Sequence, residues 1–221
     1  MGRDIVCTFP QAMKILEDTS EKFNNPPLLT DLIYPPISHA AGERQRQEDA
    51  LKRTDIAQPA IGAVSLAMLK LLQMFAITPD ATCGHSFGEL SALCAAGWID
   101  ERALMALSVT RGCLMAAAGA NQPGTKGAML AVKAPLDELE ALVENSTQKI
   151  VIANRNSPCQ GVLSGTISAV THIENICRKK SMSAVRLPVS TAFHSELVED
   201  AVRPFLGALK TVPIKPTPIQ V

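Results

Sequence analysis

The chain has 221 residues, enough to bury one sizeable core with a smaller domain appended to it. Lys+Arg 21 balances Asp+Glu 21, which removes the electrostatic case for nucleic acid or an anionic membrane as the main partner. Hydrophobic residues make up 47% and mean hydropathy is +0.14, the range of globular proteins. No apolar run approaches the roughly 18 to 20 residues needed to cross a bilayer. Met1-Gly2-Arg3-Asp4 lacks the basic-then-apolar pattern of a secretory signal, so a cytoplasmic location is expected.

In chain order, residues 4–24 read as a helix, and Pro26, Pro27, Pro35 and Pro36 then break regular structure over 26–45. Gln58 to Phe75 is dense in apolar residues with Pro59 near its start, which predicts a largely buried helix whose first turn holds the proline. Pro79 to Cys83 reads as a turn leading into a short central strand. Directly after it comes Gly84-His85-Ser86-Phe87-Gly88, the form of a nucleophile elbow, in which a sharp strand-to-helix turn thrusts a serine hydroxyl clear of the backbone. Phe87 to Ala96 predicts a helix closed by Gly97. Asp100 reads as the N-cap of another, running to about Gly119.

Asn121-Gln122-Pro123-Gly124 breaks the chain, and the periodicity beyond it changes. The reading there is strand 127–132, helix 135–145 opened by Pro135, strand 149–154, strand 161–164, helix 166–180 capped by Thr166, and strand 183–187. Strand-helix-strand-strand-helix-strand is the split ferredoxin-like unit. Asn154 and Asn156 fall in the turn between its middle strands. His194 follows a short apolar segment, a helix is expected from about Ser195 to Lys210, and Pro218 to Val221 opens a further strand. The expected fold class is α/β: a large body with a parallel sheet, residues 1–125 and 188–221, and an inserted ferredoxin-like subdomain, 126–187.

Six cysteines, at 7, 83, 94, 113, 159 and 177, form no Cys-x-x-Cys pair and lie mostly among apolar neighbours, which predicts buried reduced thiols. Histidines 39, 85, 172 and 194 show no ligand spacing, so no metal is expected. Serine needs a base to attack a carbonyl at neutral pH, and His194 is the best candidate for Ser86. Arg111 alone would read as a solvated or ion-paired helix side chain, and His85 as structural.

Taken together, Gly84-His85-Ser86-Phe87-Gly88-Glu89, Gln58-Pro59-Ala60, Arg111-Gly112, Asn156-Ser157-Pro158 and Ala192-Phe193-His194 resemble, in order, the motifs of the malonyl-CoA:acyl carrier protein transacylase family. The likeness is to the acyltransferase domains of iterative polyketide and polyunsaturated fatty acid synthases. It implies an α/β-hydrolase-like large subdomain with the ferredoxin-like insert. It also implies a malonyl group moved from CoA through a Ser86 ester to the phosphopantetheine thiol of an acyl carrier protein, by ping-pong kinetics.

On this resemblance, Ser86 and His194 are the catalytic pair, the Phe87 backbone N–H faces the oxyanion, and Arg111 grips the malonyl carboxylate. Gln58 borders the pocket, and Phe193 crowds an α-methyl substituent, favouring malonyl over methylmalonyl; burial in a core explains Phe193 equally well. Glu89 buttresses the first turn of the elbow helix. No cofactor is implied beyond the CoA thioester as substrate. The implied partners are malonyl-CoA, the carrier protein and neighbouring synthase domains such as a ketosynthase, with neither nucleic acid nor membrane.

The family carries a Gly-Gln-Gly-Ser-Gln strand before its Met-Gly-Arg-Asp-like stretch, and it continues past the strand begun at Ile219. The expectation is therefore a fragment lacking both family ends. A serine hydrolase of acyl thioesters and a catalytically inactive fragment are the alternative readings.

Overall fold

The structure is a computed structural model that describes residues 1–23, 27–120, 127–189 and 191–221. It forms two compact units, Met1–Cys113 with Phe205–Val221, and Leu114–Pro204.

The first unit begins with α1 (Arg3–Thr8) and α2 (Pro10–Phe23), where a single helix was expected. The break has a local cause: the residue before a proline is pushed out of the helical region. Phe9 accordingly takes φ −120 and ψ 97. The proline-rich passage is less irregular than its composition suggests, since α3 (Leu29–Ile33) and α4 (Glu43–Lys52) follow on either side of Pro35 and Pro36. Pro26 lies outside the described residues.

Helix α5 (Thr54–Met74) starts four residues earlier than read, so Pro59 sits inside it rather than in its first turn. The proline gives up one hydrogen bond to the carbonyl four residues back. Offsetting this, α5 buries Ala60, Ala63, Leu66, Ala67 and Leu71, and packs against α2 through residues such as Ala12 and Leu16. By length and composition α5 is long and apolar enough to cross a bilayer, which counting uninterrupted apolar residues missed because Gln58 and Lys70 punctuate it. It is a core helix of this unit.

Helices α6 (Gly88–Ala95) and α7 (Glu101–Ala120) follow the elbow. Gly97 takes φ 75 after α6, and Asp100 caps α7 by accepting from the Ala103 N–H at 2.7 Å, both as read from the sequence. The expected parallel sheet is represented among the described residues by one parallel bridge, Ala81 to Gln220. Polar groups hold the two sides of it together. The Thr82 N–H donates to the Gln220 carbonyl at 2.8 Å, Trp98 Nε1 to the Ile219 carbonyl at 3.1 Å, and Thr217 Oγ1 to the Ala96 carbonyl at 2.7 Å.

The second unit holds strands β1 (Gly127–Lys133), β2 (Ile150–Ser157), β3 (Gln160–Thr166) and β4 (Ser183–Arg186), with α8 (Leu136–Glu144) and α9 (Ile167–Lys179) between them. The sheet order is β2-β3-β1-β4 and every neighbouring pair is antiparallel. This is the order of the ferredoxin-like unit, and its core is Leu130, Val132, Leu139, Leu163, Val170 and Ile173. Thr166 caps α9 as read, accepting from the Ala169 N–H at 3.2 Å. Pro135 precedes α8 as its N-cap instead of opening it.

Asn154 and Asn156 lie within β2, not in a turn. The strand runs on to Ser157 through two register shifts, so the turn tightens to Pro158 and Cys159. Bulges of this kind let a strand absorb extra residues without losing its pairing. The helix expected from Ser195 is divided into a 3-10 turn, Glu196–Ala201, and α10 (Val202–Thr211). Pro204 lacks the N–H that a continuous α-helix would direct to the Asp200 carbonyl.

The thiols are free, but the sequence placed too many of them inside. Cys94 and Cys177 are buried, whereas Cys7, Cys83, Cys113 and Cys159 are exposed. Apolar neighbours along the chain do not fix which face a side chain occupies.

Candidate active site

Ser86 is the one residue of the elbow with a left-handed backbone, at φ 55. An L-residue held there costs roughly 1–2 kcal/mol, so the surrounding structure must impose it. Gly84 is part of that imposition, because a Cβ at this position would overlap the backbone of Gly88 and Glu89. Gly88 itself has open space where a Cβ would go. The turn is closed by the Gly88 N–H donating to the His85 carbonyl at 2.9 Å and the Glu89 N–H to the Ser86 carbonyl at 3.2 Å.

Phe87, read as substrate-binding through its N–H, has a buried side chain in the helical core, near Gly62 of α5. That anchor fixes the peptide following Ser86 at the start of α6. His85 is exposed.

Arg111 projects from α7 toward both α5 and the elbow. Its Nη1 donates to Gln58 Oε1 at 2.8 Å and its Nη2 to Ser86 Oγ at 3.3 Å. Gln58 is only 6% exposed, so its amide is an interior group whose oxygen meets a charged donor. Burial pulls Arg111 down from its ordinary pKa, and the Glu89 carboxylate opposes that shift. Glu89 thus acts on Arg111 as a countercharge, a role the sequence did not suggest. The clue available was its position three residues after Ser86, on the first turn of α6.

In the second unit, His194 is exposed and has φ 57, a second non-glycine residue in the left-handed region. Four non-glycine residues among those described share this conformation. Ala76 and Ser181 sit just beyond the C-termini of α5 and α9, where helices commonly unwind through it. Ser86 and His194 have no such explanation. Ser195 fixes the chain after the histidine, its Oγ donating to the Ala192 carbonyl at 2.7 Å and accepting from the Leu197 N–H at 3.3 Å. Phe193 packs against a small cluster of Met115, Ala118, Val198 and Ala201. Phe193 is partly buried there.

The first unit also has an open cleft of about 990 Å³, lined by Lys70, Cys94, Trp98, Glu101, Met105 and Lys215 among others. It includes none of Gln58, Ser86 and Arg111. Its polar groups are a poor start for chemistry: Lys70 is ion-paired with Glu101, and burial pushes the Cys94 thiol up from 9.0 to about 11. No group of three His, Cys, Asp or Glu side chains suited to a metal occurs among the described residues.

A family profile described as an acyl transferase domain matches residues 32–221. The highly reducing polyketide synthase PKS2 of Leptosphaeria maculans is 36% identical over 165 residues, covering 74% of this chain and 6% of its own length. The chain therefore spans a small part of the curated relatives it matches. An acyl-carrier-protein S-malonyltransferase from Bartonella henselae superposes with a TM-score of 0.82 at 30% identity, covering 99% of this chain and 68% of the other. A malonyl-transacylase solved with the acyl-carrier protein of a type II polyketide synthase gives 0.81 at 28% identity, over 97% and 66%. These structures share the α/β fold class with its α/β-hydrolase-like and ferredoxin-like parts. A serine on a strained elbow beside a partly buried arginine, on this fold and with that profile matching most of its length, makes the chain a member of the acyl transferase domain family.

Proposed function

We propose that this domain moves a malonyl group from CoA to the phosphopantetheine thiol of an acyl carrier protein through an ester on Ser86. The observation that carries the reading is the Arg111 guanidinium, partly buried and 3.3 Å from the Ser86 hydroxyl. A cation removed from water beside a nucleophile favours an acyl group with its own negative charge, and a guanidinium matches a carboxylate through two parallel bonds. The names of the malonyl-transferring structures support the same substrate.

In the first half-reaction, His194 takes the Ser86 proton as Oγ bonds to the thioester carbonyl carbon. The tetrahedral oxyanion faces the Phe87 N–H at the start of α6, where the helix favours negative charge. One such donor is worth on the order of 10² to 10³ in rate. The C–S bond then breaks, and the CoA thiolate leaves with the proton returned by His194. The second half-reaction runs the same steps with the carrier thiol as nucleophile. Loss of the proton to the imidazole and its return keep the charge balanced in both directions.

The test is transfer from radiolabelled malonyl-CoA to phosphopantetheinylated carrier protein, with free malonate measured alongside. Label on the carrier, abolished in Ser86→Ala and lowered at least 100-fold in His194→Ala, supports the reading. Stoichiometric free malonate that ignores the carrier would make the domain a hydrolase. No turnover in any form would make it an inactive domain.

A further inference from the structure

We propose that Arg111 masks the Ser86 nucleophile until a carboxylate on the acyl donor draws the guanidinium away. The inference rests on Ser86 being the nucleophile, and it deepens that reading by making the substrate's charge a switch as well as a handle.

The contact is between Arg111 Nη2 and Ser86 Oγ, 3.3 Å apart, with Nη2 donating. An oxygen that accepts from a cation has part of its lone-pair density committed, so its attack on a carbonyl is slowed by the free energy of that contact. The guanidinium is held in place from the other side. Gln58, nearly fully buried on α5, accepts from Nη1 at 2.8 Å. The Glu89 carboxylate acts on the same charge. Arg111 is therefore fixed with one nitrogen on an interior amide and the other on the nucleophile.

A malonyl donor changes this balance. Once its carbonyl carbon is at Ser86 Oγ, its carboxylate oxygens lie several bonds farther out, and a fork gripping both of them has to leave Oγ. Two bonds to an ionised carboxylate replace one contact to a neutral hydroxyl, and the planar fork matches the carboxylate through both at once. The exchange is downhill for malonyl. An acetyl donor has nothing to offer the guanidinium, and it meets a serine that is still engaged. Discrimination then operates on attack as well as on binding, which a simple carboxylate grip does not do.

The probe is an uncharged alkyl phosphonofluoridate, which forms an Oγ–P bond as the P–F bond breaks, fluoride leaving and the hydroxyl proton passing to the base. Labelling of Ser86 in the wild-type chain is timed by intact mass with saturating sodium formate, a carboxylate small enough to occupy Arg111 without filling the site, against matched sodium chloride. The mask predicts labelling faster by roughly three- to tenfold in formate. An equal or slower rate in formate overturns the mask while leaving Ser86 as the nucleophile. No label on Ser86 in either salt removes the nucleophile assignment, and the mask with it.

Acetyl-CoA and malonyl-CoA loading of Arg111→Ala gives a second readout. The mask predicts loss of malonyl loading together with acetyl loading raised above wild type. Loss of malonyl loading with acetyl loading unchanged overturns it and leaves a plain carboxylate grip.

Discussion

A serine at φ 55 does not hold itself there. The strain of about 1–2 kcal/mol is imposed by a backbone that passes too close to the first turn of α6 for residue 84 to carry a Cβ. The two glycines of the motif are therefore not equivalent. Gly84→Ala forces the turn apart and abolishes labelling of Ser86. Gly88→Ala, which enters open space at the first position of a helix, keeps the site and stabilises the chain by roughly 0.5–1 kcal/mol. Denaturant midpoints and Ser86 labelling of the two variants check this directly, and equal damage from both would contradict the account of the elbow. The motif in the sequence marked Ser86 but could not rank its glycines. Their ranking depends on how near another stretch of backbone comes.

The helices that place the site were legible wherever a local signal ends them. Asp100 before α7, Thr166 before α9 and Gly97 after α6 each do in the structure what their residue type predicts. Asp100 caps the helix that carries Arg111, at the end away from it. Asp100→Ala leaves the Ala103 N–H without its partner, and we expect a loss of about 1 kcal/mol in stability with Ser86 labelling retained. A denaturation curve indistinguishable from wild type would show that the cap contributes nothing.

Other element boundaries were not legible, for reasons that lie outside the local signals. Pro59 resembled a helix start, yet α5 begins at Thr54 because the packing of α5 on α2 outweighs one lost hydrogen bond. Phe9 and Pro10 divided a periodic segment that looked continuous. The strand after Pro79 shrank to a single bridge, since a strand forms only where a neighbour pairs with it.

Across the whole chain, order was easier to read than extent. The alternation of strands and helices after residue 126 identified the ferredoxin-like unit, and the β2-β3-β1-β4 sheet follows it. In the other unit, the strands read after Pro79 and from Pro218 meet only as the parallel bridge between Ala81 and Gln220. Of the site, Ser86, Gln58 and Arg111 were all marked in the sequence, but not that one guanidinium joins the other two. The left-handed backbone at His194 was also hidden, because nothing in Ala-Phe-His requires it.

The central claim is that Ser86 carries the acyl group. Acid-quenching the chain with malonyl-CoA in the absence of any carrier, digesting it and mapping the modified peptide by mass spectrometry tests this directly. The account predicts one malonyl ester per chain, on the peptide containing Ser86, with one equivalent of CoA released. A malonyl group on any other residue, or CoA release with the Ser86 peptide never modified, would contradict it.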